Sequence, residues 1–106
     1  MKLGIIVQAR MGSKRLPGKV LKNYKNISPL GLLLDKIAYV GLRKSTIIAT
    51  TKQKKDLKIT NFCKQKKFNF FKGSEKDVLK RYYECSKKFR IKIIVRLTAD
   101  CPFLDL

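Results

Sequence analysis

Apolar and polar positions alternate in blocks along the chain. "LGIIVQA" (3–9) is a short apolar run rich in β-branched residues and predicts a strand buried on both faces. A polar, glycine-bearing loop, 10–19, follows it. Ser28-Pro29 reads as a helix start, because Ser caps well and Pro fits the first helical position. Beyond it Leu30, Leu33, Leu34, Ile37 and Val40 recur on one helical face, and Gly41 with the basic pair Arg43-Lys44 marks the end. "STIIAT" (45–50) predicts a second strand, and 54–67 a weaker amphipathic helix built on Leu57, Ile59, Phe62 and Cys63. "FNFF" (68–71) predicts a third strand ending at Lys72-Gly73. Residues 74–89 predict a third helix, opened by Ser74-x-x-Asp77, close to a capping box, with an apolar stripe of Val78, Leu79, Tyr82, Cys85 and Phe89. "KIIVRLT" (92–98) predicts a fourth strand, and "ADCPFLDL" closes the sequence.

Strands that alternate with helices imply right-handed βαβ units and a parallel sheet, hence an α/β fold in one domain, 1–106. Neither a linker nor an internal repeat divides the chain. Ligands of such sheets bind at the C-terminal ends of the strands. The loop 10–19, Thr50-Thr51, Gly73-Ser74 and Ala99-Asp100-Cys101 all fall at those ends, so the chemically unusual residues are expected on one rim.

Composition narrows the chemistry. The sequence has 106 residues with 44% hydrophobic content, enough for a modest core and against wholesale disorder. No apolar run is long enough to span a membrane, and the start turns polar too soon for a signal peptide, so a soluble cytoplasmic protein without membrane contact is expected. The sequence contains no histidine, which excludes Ser-His-Asp and Cys-His catalysis. Cys63, Cys85 and Cys101 are widely spaced and predict reduced thiols, with neither a zinc site nor a disulfide framework. The formal net charge is +19, which raises nucleic acid as a partner. Lys supplies 20 of the 26 basic residues, scattered rather than clustered, in a chain also rich in Ile, Asn, Phe and Tyr. That is the composition of an A/T-rich genome, and it weighs compositional drift above a dedicated nucleic-acid surface.

The loop 10–19 places Arg10, Lys14, Arg15 and Lys19 among Gly12, Pro17 and Gly18. Backbone N–H groups of a glycine-bearing turn can face an anion, with forked Arg and point-charge Lys contacts around them. The first acidic residue of the chain is Asp35, so no carboxylate nearby in sequence competes for these cations. The spacing is not that of a Walker A loop: five residues separate Gly12 from Gly18, and Val20 stands where Ser or Thr would meet magnesium. A solvated basic hairpin fits the loop equally well. Asp100, at the end of an apolar strand, suits either a Mg²⁺ ligand for a nucleoside triphosphate or a turn residue ahead of Pro102; pairing with the basic loop favours the metal. Tyr82-Tyr83 are expected as core and flank, Arg81 as solvated, Cys101 as a small packed side chain, and Ser74 as a helix cap that can also serve as a ligand.

"IIVQARMGSKRLPGKVL", "GSEKDVLKRYYE" and "VRLTADCPFLD", in that order, resemble the cytidylyltransferase family of bacterial surface-sugar synthesis, most closely its spore-coat polysaccharide type. Related members act on acylneuraminate and 3-deoxy-manno-octulosonate. The resemblance implies a Rossmann-like nucleotidyltransferase three-layer sandwich with a mostly parallel sheet. It implies that Ala9, Arg10, Met11, Gly12, Ser13, Lys14, Arg15, Lys19 and Ser74 bind the nucleotide, that Arg15 and Lys19 act in catalysis, and that Asp100 binds Mg²⁺. The implied reaction joins CTP to a sugar or sugar acid, giving a CMP-sugar and pyrophosphate. Family domains are longer than this chain. The chain therefore reads as the N-terminal, nucleotide-binding portion, truncated to about four strands, with turnover left open between an active enzyme and an inactive fragment. Its fourth strand would then expose an apolar edge for an oligomer or second chain to cover. The competing reading is a small basic nucleic-acid-binding module.

Overall fold

The computed structural model describes residues 3–11, 21 and 28–98. They form β1 (Leu3–Gln8), α1 (Pro29–Tyr39), β2 (Thr46–Thr51), α2 (Leu57–Lys66), β3 (Asn69–Gly73), α3 (Val78–Lys88) and β4 (Ile93–Thr98). The four strands make one parallel sheet in the order β3-β2-β1-β4. The chain winds outward from β1 through β2 to β3, then crosses back over the sheet to lay β4 on the other side of β1. Right-handed crossovers in opposite directions put their helices on opposite faces. Accordingly α1 and α2 cover one face through Leu30, Leu33, Leu34, Ile37, Ile59 and Cys63, packed on Ile5, Val7, Ile48 and Leu97. α3 covers the other through Tyr82 and Cys85, packed on Ile6, Ile47, Ala49 and Ile91. The result is the α/β/α three-layer arrangement that the alternation and the resemblance predict.

The caps explain the helix lengths. Ser28 accepts a hydrogen bond from Gly31 N at 3.0 Å, with Pro29 in the first helical position, as the sequence predicts. α1 ends in a Schellman turn: Leu42 N donates to Ile37 O and Gly41 N to Ala38 O, with Gly41 at φ +80°. α2 and α3 end in the same way, but with Lys67 (φ 62°) and Arg90 (φ 55°) in the left-handed position. Val40, expected on the buried stripe of α1, is exposed because it already belongs to the terminal turn.

Four expectations need correction. Ser74 does not cap α3; Asp77 does, accepting from Lys80 N at 3.0 Å, while the Ser74 hydroxyl accepts from Asp77 N in the preceding turn. The buried side of α3 is Arg81, Tyr82 and Cys85, whereas Val78 and Leu79 are exposed. Arg81, expected in solvent, is wholly enclosed. Leu57 likewise faces water, because α2 begins there after a 3₁₀ turn, Lys54–Asp56. Tyr82 and Tyr83 are core and flank as expected, and Cys63 and Cys85 are free, buried thiols; Cys101 lies outside the described residues.

Candidate functional site

Parallel pairing aligns the strand ends. Gln8 at the end of β1 sits opposite Ala49 of β2 and Thr98 of β4, and Thr51 sits opposite Gly73 of β3. Ala9 extends the β1–β2 ladder by one bond, donating to Ala49 O at 3.0 Å. The C-terminal ends of all four strands therefore lie on one rim. Between β1 and β4 the winding direction reverses, and loops on either side of such a point diverge and leave a crevice. Arg10 and Met11 follow the end of β1, and Thr98 ends β4 beside it. Gly12, Ser13, Lys14, Arg15, Lys19 and Asp100 themselves lie outside the described residues. Ala9 is buried, Arg10 and Met11 are half-buried at the mouth of the loop, and Ser74 is half-buried two strands away on the same rim.

Asp56 and Arg81, neither of which the sequence assigns to a site, tie these positions together. Asp56 is 1% exposed; its Oδ1 accepts from Met11 N at 2.7 Å and its Oδ2 accepts from the Thr51 hydroxyl. Thr51 Oγ1 in turn accepts from Gln53 N at 3.2 Å. One carboxylate thus fastens the turn after β2 to the first residues beyond β1. Aspartate directly before a helix is normally read as an N-cap, yet Asp56 makes no capping bond to α2.

Arg81 reaches under the rim from α3. Its Nη1 donates to Ser74 O at 2.8 Å, fixing the turn after β3. Its stem lies against Gly73, where a Cβ would come within 2.9 Å of Arg81 Cγ and 2.8 Å of the Phe71 ring, so a residue without a side chain ends β3. Nε and Nη2 find no hydrogen-bond partner among the described residues. Burial, and then the charge of Arg10, push the guanidinium's pKa below its ordinary value, while Tyr82 and Asp56 push it up. Two arginines and one carboxylate thus feel one another beneath the rim, and the local balance is cationic. Thr50 Oγ1 is also buried and unpartnered among the described residues. A cavity of about 570 Å³ opens above β2 and β3, lined by Lys52, Lys72, Lys80, Ser74, Glu75 and Glu84 among others. The signal for Asp56 was its position before a helix; what it bonds instead of that helix becomes visible only in three dimensions.

A parallel sheet wound in both directions from β1, with a helical layer on each face, defines the class of doubly wound α/β proteins. The sequence profile of one family, described as cytidylyltransferase, matches residues 4–106, and the chain belongs to that family. It is 42% identical over 106 residues to an uncharacterized protein of Methanocaldococcus jannaschii, covering 100% of this chain and 44% of that one. It is 38% identical over 104 residues to the spore coat polysaccharide biosynthesis protein SpsF of Bacillus subtilis, covering 94% and 43% respectively. Among solved structures it superposes on a cytidylyltransferase from Leptospira borgpetersenii with a TM-score of 0.92 at 39% identity, over 99% of this chain and 44% of that one. A CMP:2-keto-3-deoxy-manno-octonic acid synthetase complexed with CTP shares the fold, with a TM-score of 0.75 at 22% identity, over 98% and 42%. The chain spans less than half the length of the relatives it matches.

Proposed function

We propose that this chain forms the nucleotide-binding portion of an enzyme that transfers CMP from CTP to a sugar or sugar acid in surface-polysaccharide synthesis. The observation that carries the reading is the register of β1 against β4, with Gln8 opposite Thr98. These two strand ends are the ones that the sequence continues into the cationic loop and into Asp100. Similarity to SpsF supports the polysaccharide setting, and the CTP-bound fold neighbour supports the nucleotide. A CTP-dependent reaction belongs in the cytoplasm, where nucleoside triphosphates are made. No helix among the described residues is long and apolar enough to cross a membrane.

In the reaction a sugar hydroxyl oxygen bonds to the α-phosphorus of CTP as the α–β phosphoanhydride bond breaks, and pyrophosphate departs. This chemistry needs positioning and charge neutralisation more than covalent help. Ala9, Arg10, Met11, Gly12, Ser13, Lys14 and Ser74 hold the nucleotide, and Arg15 and Lys19 meet the charge that develops on pyrophosphate. No group of three or more His, Cys, Asp or Glu gathers to hold a metal among the described residues. A nucleotide site needs none, because Mg²⁺ is usually held by one or two carboxylates together with phosphate oxygens and water. Asp100 supplies the hard oxygen donor that this requires. When bound, Mg²⁺ would neutralise charge on the triphosphate.

Calorimetric titration tests the reading. CTP is expected to bind more tightly than ATP, GTP or UTP in the presence of Mg²⁺, and Asp100→Ala to abolish the Mg²⁺ dependence. Equal affinity for all four nucleotides, or Mg²⁺ dependence that survives Asp100→Ala, counts against it. Nucleic-acid affinity that falls steeply with salt, without CTP binding, would favour the basic-module alternative.

A further inference from the structure

The tether between Asp56 and Met11 joins residues 45 apart in sequence. It closes on the backbone at the point where β1 gives way to the glycine-bearing loop. A backbone N–H at the entrance of a surface loop would ordinarily be satisfied by water. Here it is bonded at 2.7 Å to a carboxylate that is 1% exposed, whose second oxygen is held by the Thr51 hydroxyl. Enclosing a carboxylate costs several kcal/mol unless both oxygens are satisfied. Asp56 ends the 3₁₀ turn with αR backbone angles (φ −82°, ψ −2°) instead of the extended conformation a helix cap takes. Its side chain makes no capping bond and is turned under the rim.

We infer that Asp56 is a positioning residue for the nucleotide loop, acting through Met11 N and held in its own orientation by Thr51. This role rests on the nucleotide reading above. Two consequences follow from the geometry. The hydrogen bond fixes Met11, where the chain leaves β1, so this part of the backbone is ordered before a nucleotide arrives; that is preorganisation, and it acts on affinity. The Thr51 hydroxyl that holds the other Asp56 oxygen also accepts from Gln53 N, so the same carboxylate is tied to the turn after β2.

The experiment uses the full chain with Asp56→Ser, Asp56→Asn and Asp56→Ala. Serine keeps a small polar side chain but is too short to reach Met11. Asparagine keeps an oxygen for Met11 N and an amide that can donate to Thr51. Two readouts are taken: amide hydrogen exchange at Met11, relative to Ile5–Val7 of β1, and the affinity for Mg·CTP relative to cytidine. Asp56→Ser and Asp56→Ala are expected to speed exchange at Met11 with β1 unchanged, and to weaken Mg·CTP by about tenfold or more while cytidine changes less. Asp56→Asn is expected to restore both to within a few-fold of wild type. Unchanged Met11 exchange in Asp56→Ser overturns the tether, whatever CTP does. Faster exchange with CTP affinity intact overturns the positioning role and leaves the nucleotide reading standing. Wild-type protein that binds no CTP overturns the nucleotide reading and the positioning role with it, and Met11 exchange still decides the tether. Should Asp56→Ala fail to fold, the serine and asparagine variants carry the same comparison.

Discussion

Single residues in this protein are decided by what encloses them. Cys63 and Cys85 are identical in the sequence to any reduced thiol, but burial pushes their pKa up to about 12 and about 11, from an ordinary value of 9.0. The thiol proton is therefore held more firmly in the folded state. Below pH 9 both states are protonated and the full stability is present. As pH rises past that value the unfolded chain ionises first, and stability is lost through the window up to the folded pKa. Burial raises Tyr82 in the same direction. Denaturant unfolding at pH 8 and pH 10.5, compared between wild type and Cys63→Ala, checks this: the wild type is expected to lose more stability over the interval than the variant. Lysine titration is common to both proteins and cancels in the difference. Asp56 and Arg81 make the same point with charge. A string of letters presents each as a surface residue, and only the fold shows one taking a backbone N–H and the other bonded to the Ser74 carbonyl.

At the scale of elements, the helix N-termini and C-termini differ in how openly the sequence announces them. Ser28-Pro29 and Gly41 use the residues that the backbone geometry prefers, and they are legible. Lys67 and Arg90 occupy left-handed positions that ordinarily favour glycine. Long basic side chains there hide the ends of α2 and α3 from a reader searching for Gly. Lys67→Gly and Arg90→Gly are each expected to raise stability by roughly 0.5–1 kcal/mol, because relief of left-handed strain exceeds the added chain entropy; thermal melts of the two variants measure it. The misplaced start of α3 has a related cause. Ser74-x-x-Asp77 contains two residues able to cap, and the periodicity of 78–89 fits either start. The structure settles the choice in favour of Asp77, whose extended backbone and bond from Lys80 N make the cap, while Arg81 Nη1 donates to Ser74 O and holds the bend ahead of the helix.

For the whole molecule, charge and an open edge oppose each other. A net charge of +19 on 106 residues keeps copies apart. Among the described residues β4 pairs only with β1, and it exposes Ile93 (54%), Ile94 (37%) and Val95 (40%), beside Leu3 (47%). Unpaired strand edges with apolar side chains template association unless charge or cover prevents it. Raising salt screens the repulsion and leaves the edge attractive. Light scattering across a salt series is therefore expected to show association rising with salt, and Val95→Lys, which places a charge on the edge, to suppress it. The ion pair of Lys66 with Asp35, at 3.4 Å, is half-exposed and contributes little to the balance.

Periodicity alone determined the order of strands and helices, because a buried strand and an amphipathic helix each need a pattern of apolar side chains that survives in one dimension. Handedness rules then followed for the sheet, and the three motifs identified the family. The tertiary structure decided what local pattern does not encode: the β3-β2-β1-β4 order that sets the loop of Arg10 beside the end of β4, the enclosure of Arg81, and the turn of Asp56 away from its own helix toward Met11. Those three depend on which distant segments meet. The capping Asp77 and the tethering Asp56 have the same side chain and differ in backbone conformation, extended against helical, and in which N–H lies within reach.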